Sequence, residues 1–195
     1  MRVIAGVYRS RLLSAPRGTA TRPTSDRLRE TLFNVIAPRL PGARFADLYA
    51  GSGAVGIEAL SRGAAYVYFA EKAPAAVAAI RANLAMLKVA QGFAIEERGV
   101  GALLNGWIER SAKGTLSPLD VIVLDPPWES ATEYTATLAL LGSARGSALL
   151  APGAAVVAEH SARVPLPERF GSLVQTRTKK QGDAALAFYS VAQNL

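Results

Sequence analysis

The chain has 195 residues, 50% of them hydrophobic, with a formal net charge of +7, one histidine and no cysteine. This length suits one α/β domain with a sizeable core, and the lack of cysteine excludes disulfides and thiolate metal sites. With a single histidine as well, we predict no metal site. The sequence shows neither a secretory signal nor an apolar run of membrane-spanning length, so we expect a soluble cytoplasmic protein without a membrane partner.

The positive charge is concentrated at the start of the chain. Residues 1–44 hold nine arginines against two acidic residues, which accounts for the whole +7, and the basic and acidic residues of the remainder balance. This segregation favours a polyanion-binding face beside a neutral body, because the planar guanidinium suits phosphates and stacked bases. A solvated basic surface is the alternative.

Two elements are predicted before the core domain. Imperfect alternation of apolar and polar residues over 1–13 favours a short hairpin, and the proline-rich residues 14–23 favour a loop. Ser25 then suits the N-cap of an amphipathic helix that ends before Pro38, with Arg27 and Arg29 pointing away from its apolar face. We therefore separate a basic N-terminal extension, residues 1–43, from a core domain, residues 44–195.

Strands and helices alternate from residue 44 onward. The pattern predicts strands ending at residue 50 and over 66–70, 93–96, 119–124 and 154–159, helices over 55–62, 74–88, 101–111 and 131–141, and an antiparallel pair over 172–178 and 184–191. The apolar run at 119–124 is typical of a central parallel strand buried on both faces. The alternation predicts a doubly wound, mostly parallel, seven-stranded Rossmann-like α/β sheet whose ligand lies at the carboxyl ends of the strands.

A glycine-rich turn follows the first predicted strand of this domain. Gly51, Gly53 and Gly56 form a GxGxxG pattern, whose backbone can approach a ligand closely at the start of the next helix. Asp47 lies inside the strand, and Glu71 ends the next one, where a carboxylate can accept both hydroxyls of a ribose. A nicotinamide dinucleotide and S-adenosylmethionine both contain such a ribose, and a simple tight connection between strand and helix is the alternative.

The strand at 119–124 runs directly into Asp125-Pro-Pro-Trp128. In a doubly wound sheet we expect this end to face the glycine-rich turn. Pro126 and Pro127 stiffen the backbone and lack N–H donors, so the loop presents the Asp125 carboxylate and the Pro126 carbonyl as acceptors for an exocyclic amine. Trp128 offers a flat face for a flipped base. A dehydrogenase gains little from such a clamp, while a plain strand end with a core aromatic is the structural alternative.

These motifs resemble those of class I S-adenosylmethionine-dependent amino-methyltransferases. Residues 22–34, Arg-Pro-Thr-Ser-Asp-Arg-Leu-Arg-Glu-Thr-Leu-Phe-Asn, and residues 56–64, Gly-Ile-Glu-Ala-Leu-Ser-Arg-Gly-Ala, are more narrowly similar to the bacterial 16S rRNA guanine-N2 methyltransferase family called RsmD. The resemblance implies direct methyl transfer from S-adenosylmethionine to the 2-amino group of one guanine in small-subunit rRNA. Two positions depart from the family pattern: Trp128, where Phe or Tyr is usual, and Gly99-Val100, where a polar residue near the adenine is common.

The motifs and the resemblance together assign three sets of residues. The predicted catalytic residues are Asp125, Pro126, Pro127 and Trp128; the predicted cofactor-binding residues are Asp47, Ala50, Gly51, Ser52, Gly53, Glu71 and Val100; the predicted RNA-binding residues are Arg9, Arg11, Arg17, Arg22, Arg27 and Arg29. We expect a monomer that acts on 16S rRNA or the assembling small ribosomal subunit, with residues 1–43 docking the RNA. The alternatives are an adenine-N6 or other amino-methyltransferase of DNA, and a non-catalytic RNA-binding assembly protein.

Overall fold

The computed structural model describes residues 1–15, 25–128 and 130–192 of the chain. The chain forms two compact units, Met1–Gly99 and Val100–Leu195. Arg17, Arg22 and most of the loop predicted over residues 14–23 lie outside the described residues. The basic extension therefore belongs to the same unit as the glycine-rich turn, and its separate role in RNA docking stays a prediction.

The first unit alternates helices and parallel strands as predicted. Its elements are α1 Asp26–Ile36, β1 Arg44–Leu48, α2 Ala54–Ser61, β2 Tyr66–Ala70, α3 Pro74–Met86 and β3 Phe93–Glu96. The strands lie in the order β3-β2-β1 and are parallel, with Asp47 opposite Phe69 and Ala70 opposite Glu96. Because all three strands run in the same direction, the glycine-rich turn after β1 and Glu71 after β2 both lie at the carboxyl ends of the strands.

Residues 1–13 form the predicted hairpin, in which Arg2 bridges Leu12 in antiparallel fashion. This hairpin docks on α2 through a carboxylate that is fully buried. Glu58 accepts the N–H groups of Ile4 and Ala5 at 2.7 and 2.9 Å. No local pattern in the sequence indicates this docking, because the partners are more than fifty residues apart in the chain.

Helix α1 begins at the predicted cap, since the Ser25 hydroxyl accepts the N–H of Leu28 at 3.1 Å. The predicted orientation of Arg29 is wrong. Its side chain is buried, 1% exposed, and one nitrogen of its guanidinium donates to the Arg2 carbonyl and to Asp26 at 2.7 Å each. Burial lowers the pKa of Arg29, and the Asp26 carboxylate opposes that shift. A carbonyl from the hairpin and a carboxylate one turn away therefore replace water at this nitrogen, whereas Nε and Nη1 are buried without a hydrogen-bond partner among the described residues.

The second unit contains α4 Val100–Ala112, β4 Leu119–Leu124, α5 Ala131–Leu141, β5 Leu150–Ser161, β6 Arg169–Phe170, β7 Leu173–Gln181 and β8 Ala184–Val191. Its strands lie in the order β4-β5-β8-β7-β6, with β4 and β5 parallel and the other pairs antiparallel. The described residues thus hold eight strands rather than the predicted seven, because the short β6 pairs with the start of β7. No helix in the described part of the chain is long and apolar enough to cross a membrane.

Candidate functional site

The loop between β1 and α2 has an unusual backbone. Tyr49, Gly51 and Gly53 all have positive φ, at 66°, 54° and 76°. A tyrosine rarely adopts such an angle, and a residue held there costs on the order of 1–3 kcal/mol. The loop is kept in this shape by backbone hydrogen bonds, from Ala50 N–H to the Ala70 carbonyl at 3.0 Å and from Gly53 N–H to the Ala50 carbonyl at 2.7 Å.

The first and last glycines of the motif serve different purposes. A Cβ atom on Gly51 would meet no heavy atom within 4 Å, so the turn faces open space at this point. A Cβ atom on Gly56 would lie 2.3 Å from Cε1 of Phe69 and 2.8 Å from Cγ1 of Val67. Gly51 therefore leaves room for a ligand, whereas Gly56 allows α2 to pack closely on β2.

Two acidic side chains hold the loop through its backbone N–H groups. Asp47 is 3% exposed and accepts the Gly56 N–H at 2.8 Å. Burial raises the pKa of Asp47 to about 8; the Gly56 N–H opposes the shift, and the negative charge of Glu71 adds to it. Glu71 accepts the N–H groups of Gly51 and Ala73 at 2.9 and 2.8 Å. Because Glu71 is only half-buried and a carboxylate can accept about four hydrogen bonds, it can still accept two hydroxyl groups.

Asn83 of α3 joins the glycine-rich loop to the N-terminal hairpin. Its Nδ2 donates to the carbonyls of Ser52 and Ser14, both at 3.0 Å, and its Oδ1 accepts the Ser14 N–H at 2.8 Å. The Ser52 hydroxyl donates to the sulfur of Met1 at 3.1 Å, so this predicted cofactor-binding side chain is directed at the hairpin. Sequence reasoning missed Asn83, although its place on the buried face of α3, beside Ile80 and Leu84, was an available signal.

In the second unit, β4 leads directly into the predicted acceptor loop. Asp125 and Trp128 are half-buried, Pro126 is buried and Pro127 is exposed. The Pro127 carbonyl accepts the N–H of Ser130 at 2.8 Å, which closes the turn. Trp128 is therefore not a fully buried core aromatic, and part of its side chain can contact a ligand.

The Pro126 carbonyl already has one donor. The hydroxyl of Tyr134, a residue of α5 that is 3% exposed, donates to it at 2.9 Å. A carbonyl oxygen has two lone pairs, so it can accept one more N–H. Tyr134 orients this carbonyl, and sequence reasoning missed it because a tyrosine on the apolar face of a helix looks like an ordinary core residue.

The remaining predicted residues differ in exposure. Val100 is the first residue of α4 and is buried, as is Ala50. The side chains of Arg9, Arg11 and Arg27 are exposed, whereas that of Arg29 is buried. Three arginines of the predicted RNA-binding set are therefore accessible within the described ranges.

Comparison with known proteins identifies the family. The family model described as Conserved hypothetical protein 95 matches residues 1–190. A Bacillus subtilis (strain 168) relative named "Putative rRNA methyltransferase YlbH" is 36% identical over 189 residues, 97% of this chain and 98% of the relative. The "Ribosomal RNA small subunit methyltransferase D" of Escherichia coli (strain K12) is 39% identical over 128 residues, 66% of this chain and 60% of that protein.

Solved structures with a similar fold are also methyltransferases by description. A solved Escherichia coli structure described as "Putative methyltransferase yhhF" has a TM-score of 0.80 and 31% identity, covering 98% of this chain and 97% of the other. Because the family match extends over nearly the whole sequence, the chain belongs to the Conserved hypothetical protein 95 family, the RsmD family of methyltransferases that its motifs resemble.

Proposed function

We propose that the protein transfers a methyl group from S-adenosylmethionine to the exocyclic N2 amine of a guanine in 16S rRNA. The observation that carries the proposal is the acceptor loop, in which the half-buried Asp125 carboxylate is followed by a Pro126 carbonyl that Tyr134 orients. Two acceptors on a stiff backbone suit an amine with two N–H groups. The names of the Bacillus subtilis and Escherichia coli relatives support rRNA as the substrate.

The glycine-rich loop supports S-adenosylmethionine as the methyl donor. The open space at Gly51 can admit the ligand, the free acceptor capacity of Glu71 suits the two ribose hydroxyls, and Val100 would pack near the adenine. When bound, the cofactor supplies an electrophilic methyl group on a positively charged sulfur. Asp47, Ala50, Ser52 and Gly53 would act mainly by keeping the loop in its bound shape, since their contacts are with the protein itself.

The acceptor loop would perform the chemistry by positioning. Asp125 and the Pro126 carbonyl would each accept one N–H of the amine, which leaves the nitrogen lone pair available to attack the methyl group that the cofactor would supply. The Asp125 carboxylate would also accept the proton that the amine nitrogen loses on methylation. Pro127 keeps the turn rigid, and the accessible part of Trp128 stacks on the extruded base.

A transfer assay with competing substrates tests this function. The protein is incubated with methyl-labelled S-adenosylmethionine and either small subunits, naked 16S rRNA or DNA, and the digested nucleosides are identified by mass spectrometry. We expect N2-methylguanosine from the rRNA substrates, and its formation should be at least about 30-fold slower with the Asp125→Ala variant. Methylated adenine in DNA would contradict the proposal, and RNA binding without any methyl transfer would indicate a non-catalytic assembly protein.

A further inference from the structure

A basic stretch lies at the end of β7, in the second unit. Residues 176–180 are all exposed, although they belong to a strand. Three of them are cations, Arg177, Lys179 and Lys180, and residues 172–182 contain no acidic residue. None of the three cations forms an ion pair with any residue that the structure describes. We call these three residues the β7 basic stretch.

Strand register places this stretch at the end of the sheet where β4 leads into Asp125. Leu124 lies opposite Ala158 of β5, Ala158 opposite Ala187 of β8, and Ala187 opposite Thr178 of β7. β7 and β4 run in the same direction through this row. Lys179 and Lys180, which follow Thr178, therefore lie toward the same end of the strands as Asp125, which follows Leu124. Three strand spacings separate β4 from β7, a distance of about 14 Å at about 4.8 Å each.

Lys180 shares one row of the sheet with a buried histidine of β5. His160, near the end of β5, is 4% exposed, and it pairs with Ala185, which pairs in turn with Lys180. Burial lowers the pKa of His160, hydrogen bonds with the backbone of Ser161 and Val164 oppose that shift, and the positive charge of Lys180 lowers the pKa. The register thus places Lys180 two strand spacings from β5 and three from β4.

Edge protection alone does not account for this pattern. Past Val174, β7 has no paired strand on its outer side among the described residues, and charged side chains on such an edge prevent pairing with other chains. Charges of either sign at any point along the strand would serve that purpose. Here all three charges are positive, and they are grouped at the end of the strand nearest to Asp125.

We infer that the β7 basic stretch contacts phosphates of the RNA strand beside the methylated nucleotide. Resting on the proposed function, this inference adds a second RNA contact, separate from the basic N-terminal extension. About four stacked nucleotides, at about 3.4 Å each, would span the distance from the acceptor loop to β7. An RNA strand whose target base enters at Asp125 would thus cross the ends of β5 and β8 and meet Lys179 and Lys180 next.

The test is a variant in which Arg177, Lys179 and Lys180 are all replaced by Gln. Binding to 16S rRNA transcript and to purified small subunits is measured against salt concentration. We expect weaker binding to both. The slope of the logarithm of the binding constant against the logarithm of the salt concentration should become shallower by about 0.7 to 0.9 for each lost phosphate contact. The KM for RNA should rise, whereas cofactor affinity and the turnover at saturating RNA should stay as in the wild type. A Lys179→Arg, Lys180→Arg variant should bind as the wild type does.

A matched control removes three charges elsewhere. Three exposed residues of the second unit lie near the amino ends of β4 and β5, at the opposite end of these strands from Asp125: Arg110, Lys113 and Arg145. Their joint replacement by Gln should leave the salt slope unchanged. An equal loss of slope in both triple variants would overturn the inference, because the effect would then be one of net charge.

Three other results would overturn it. A β7 variant that aggregates but binds RNA normally would mean that the charges only protect the strand edge. Loss of binding to small subunits but not to naked rRNA would mean that the stretch contacts a ribosomal protein. Unchanged binding in an enzyme that methylates rRNA would refute the inference alone, whereas a wild-type enzyme that methylates no rRNA would refute the proposed function.

Discussion

The glycine-rich loop and the acceptor loop are stabilised in different ways. The glycine-rich loop depends on side chains from elsewhere in the first unit: Asp47 holds the start of α2, Glu71 holds Gly51, and Asn83 holds Ser52. The acceptor loop contains two adjacent prolines, and its carbonyls accept the Tyr134 hydroxyl and the N–H of Ser130. The first loop is thus shaped by side chains from distant segments, and the second largely by its own prolines and by residues just after it in the chain.

This difference separates binding from chemistry. Substitutions behind the glycine-rich loop should change stability and cofactor affinity, because they alter the shape of a binding surface. Substitutions in the acceptor loop should change the rate of transfer and leave the cofactor bound. The following predictions test that separation, from the largest expected effect to the smallest.

Replacing Asp125 by Ala should have the largest effect. Loss of a charge-assisted hydrogen bond to the reacting amine should lower the rate of methyl transfer about 30- to 1000-fold, equivalent to about 2–4 kcal/mol. Cofactor affinity, measured by calorimetry, should not change. Asp125→Asn keeps one acceptor oxygen and should retain more activity than Asp125→Ala. Normal turnover in Asp125→Ala would remove this residue from the mechanism.

The buried carboxyl of Asp47 should make stability depend on pH. Its pKa is raised from 3.8 to about 8, so the folded protein holds a proton that the unfolded chain releases between these values. The free energy of unfolding is therefore highest below about pH 4, and this favourable contribution of the protonated Asp47 is lost as the pH rises through about 8. In Asp47→Asn, the amide oxygen can still accept the Gly56 N–H and cannot ionise. Over this interval the variant should therefore gain on the order of a few kcal/mol of unfolding free energy relative to the wild type.

Urea unfolding at several pH values measures this effect. An Asp183→Asn variant is the control, because that carboxylate is half exposed and pairs with Arg163 at the surface. Parallel pH profiles of the wild type and Asp47→Asn would show that the Asp47 carboxyl titrates alike in the folded and unfolded states.

Replacing Gly56 by Ala should destabilise the first unit. The new Cβ would overlap Phe69 at 2.3 Å and Val67 at 2.8 Å, both buried side chains of β2. Overpacking of this kind costs about 1–3 kcal/mol. Gly106→Ala in α4 is the matched control, because a Cβ there meets nothing within 4 Å, and it should stabilise the helix by about 0.5–1 kcal/mol. Equal unfolding free energies for the two variants would contradict the close packing of α2 on β2.

Replacing Glu71 by Gln should weaken cofactor binding. One acceptor oxygen becomes an NH₂ group, which can no longer accept a ribose hydroxyl or a backbone N–H. We expect affinity to fall by about tenfold, close to 1.4 kcal/mol, with a smaller change in saturated turnover. Unchanged affinity in calorimetry would show that Glu71 serves only to shape the loop.

Replacing Tyr134 by Phe should have the smallest effect. The ring keeps its packing, but the Pro126 carbonyl loses its hydrogen bond. A loss of about 1 kcal/mol in positioning would slow transfer roughly fivefold and leave cofactor affinity unchanged. Weaker cofactor binding in this variant would break the proposed separation of the two loops.

Periodicity predicted the elements of the fold but not the contacts of their buried polar side chains. The alternation of strands and helices was confirmed because each element buries a regular apolar face. Arg29 was placed wrongly because its acceptors, Asp26 and the Arg2 carbonyl, come together only in the folded chain. The two-residue β6 is too short to show any alternation, and β5 begins four residues before the predicted start.

The candidate site was predicted where backbone rules apply and missed where side chains from distant segments meet. Glycine spacing located the loop after β1, and the prolines located the loop after β4. Asn83 acts on residues 31 and 69 positions away, a separation that no local pattern encodes. Tyr134 belongs to the same class, since its hydroxyl matters only because the Pro126 carbonyl lies within reach.

The contact between Met1 and Ser52 has a practical consequence for recombinant work. An affinity tag placed ahead of Met1 would begin beside the glycine-rich loop, where the Ser52 hydroxyl donates to the Met1 sulfur at 3.1 Å. Such a tag would crowd the proposed cofactor site before any substitution was introduced. At the other end of the described chain, Val191 pairs with Leu173, at the opposite end of β7 from Lys180. A tag following that end would leave the β7 basic stretch clear.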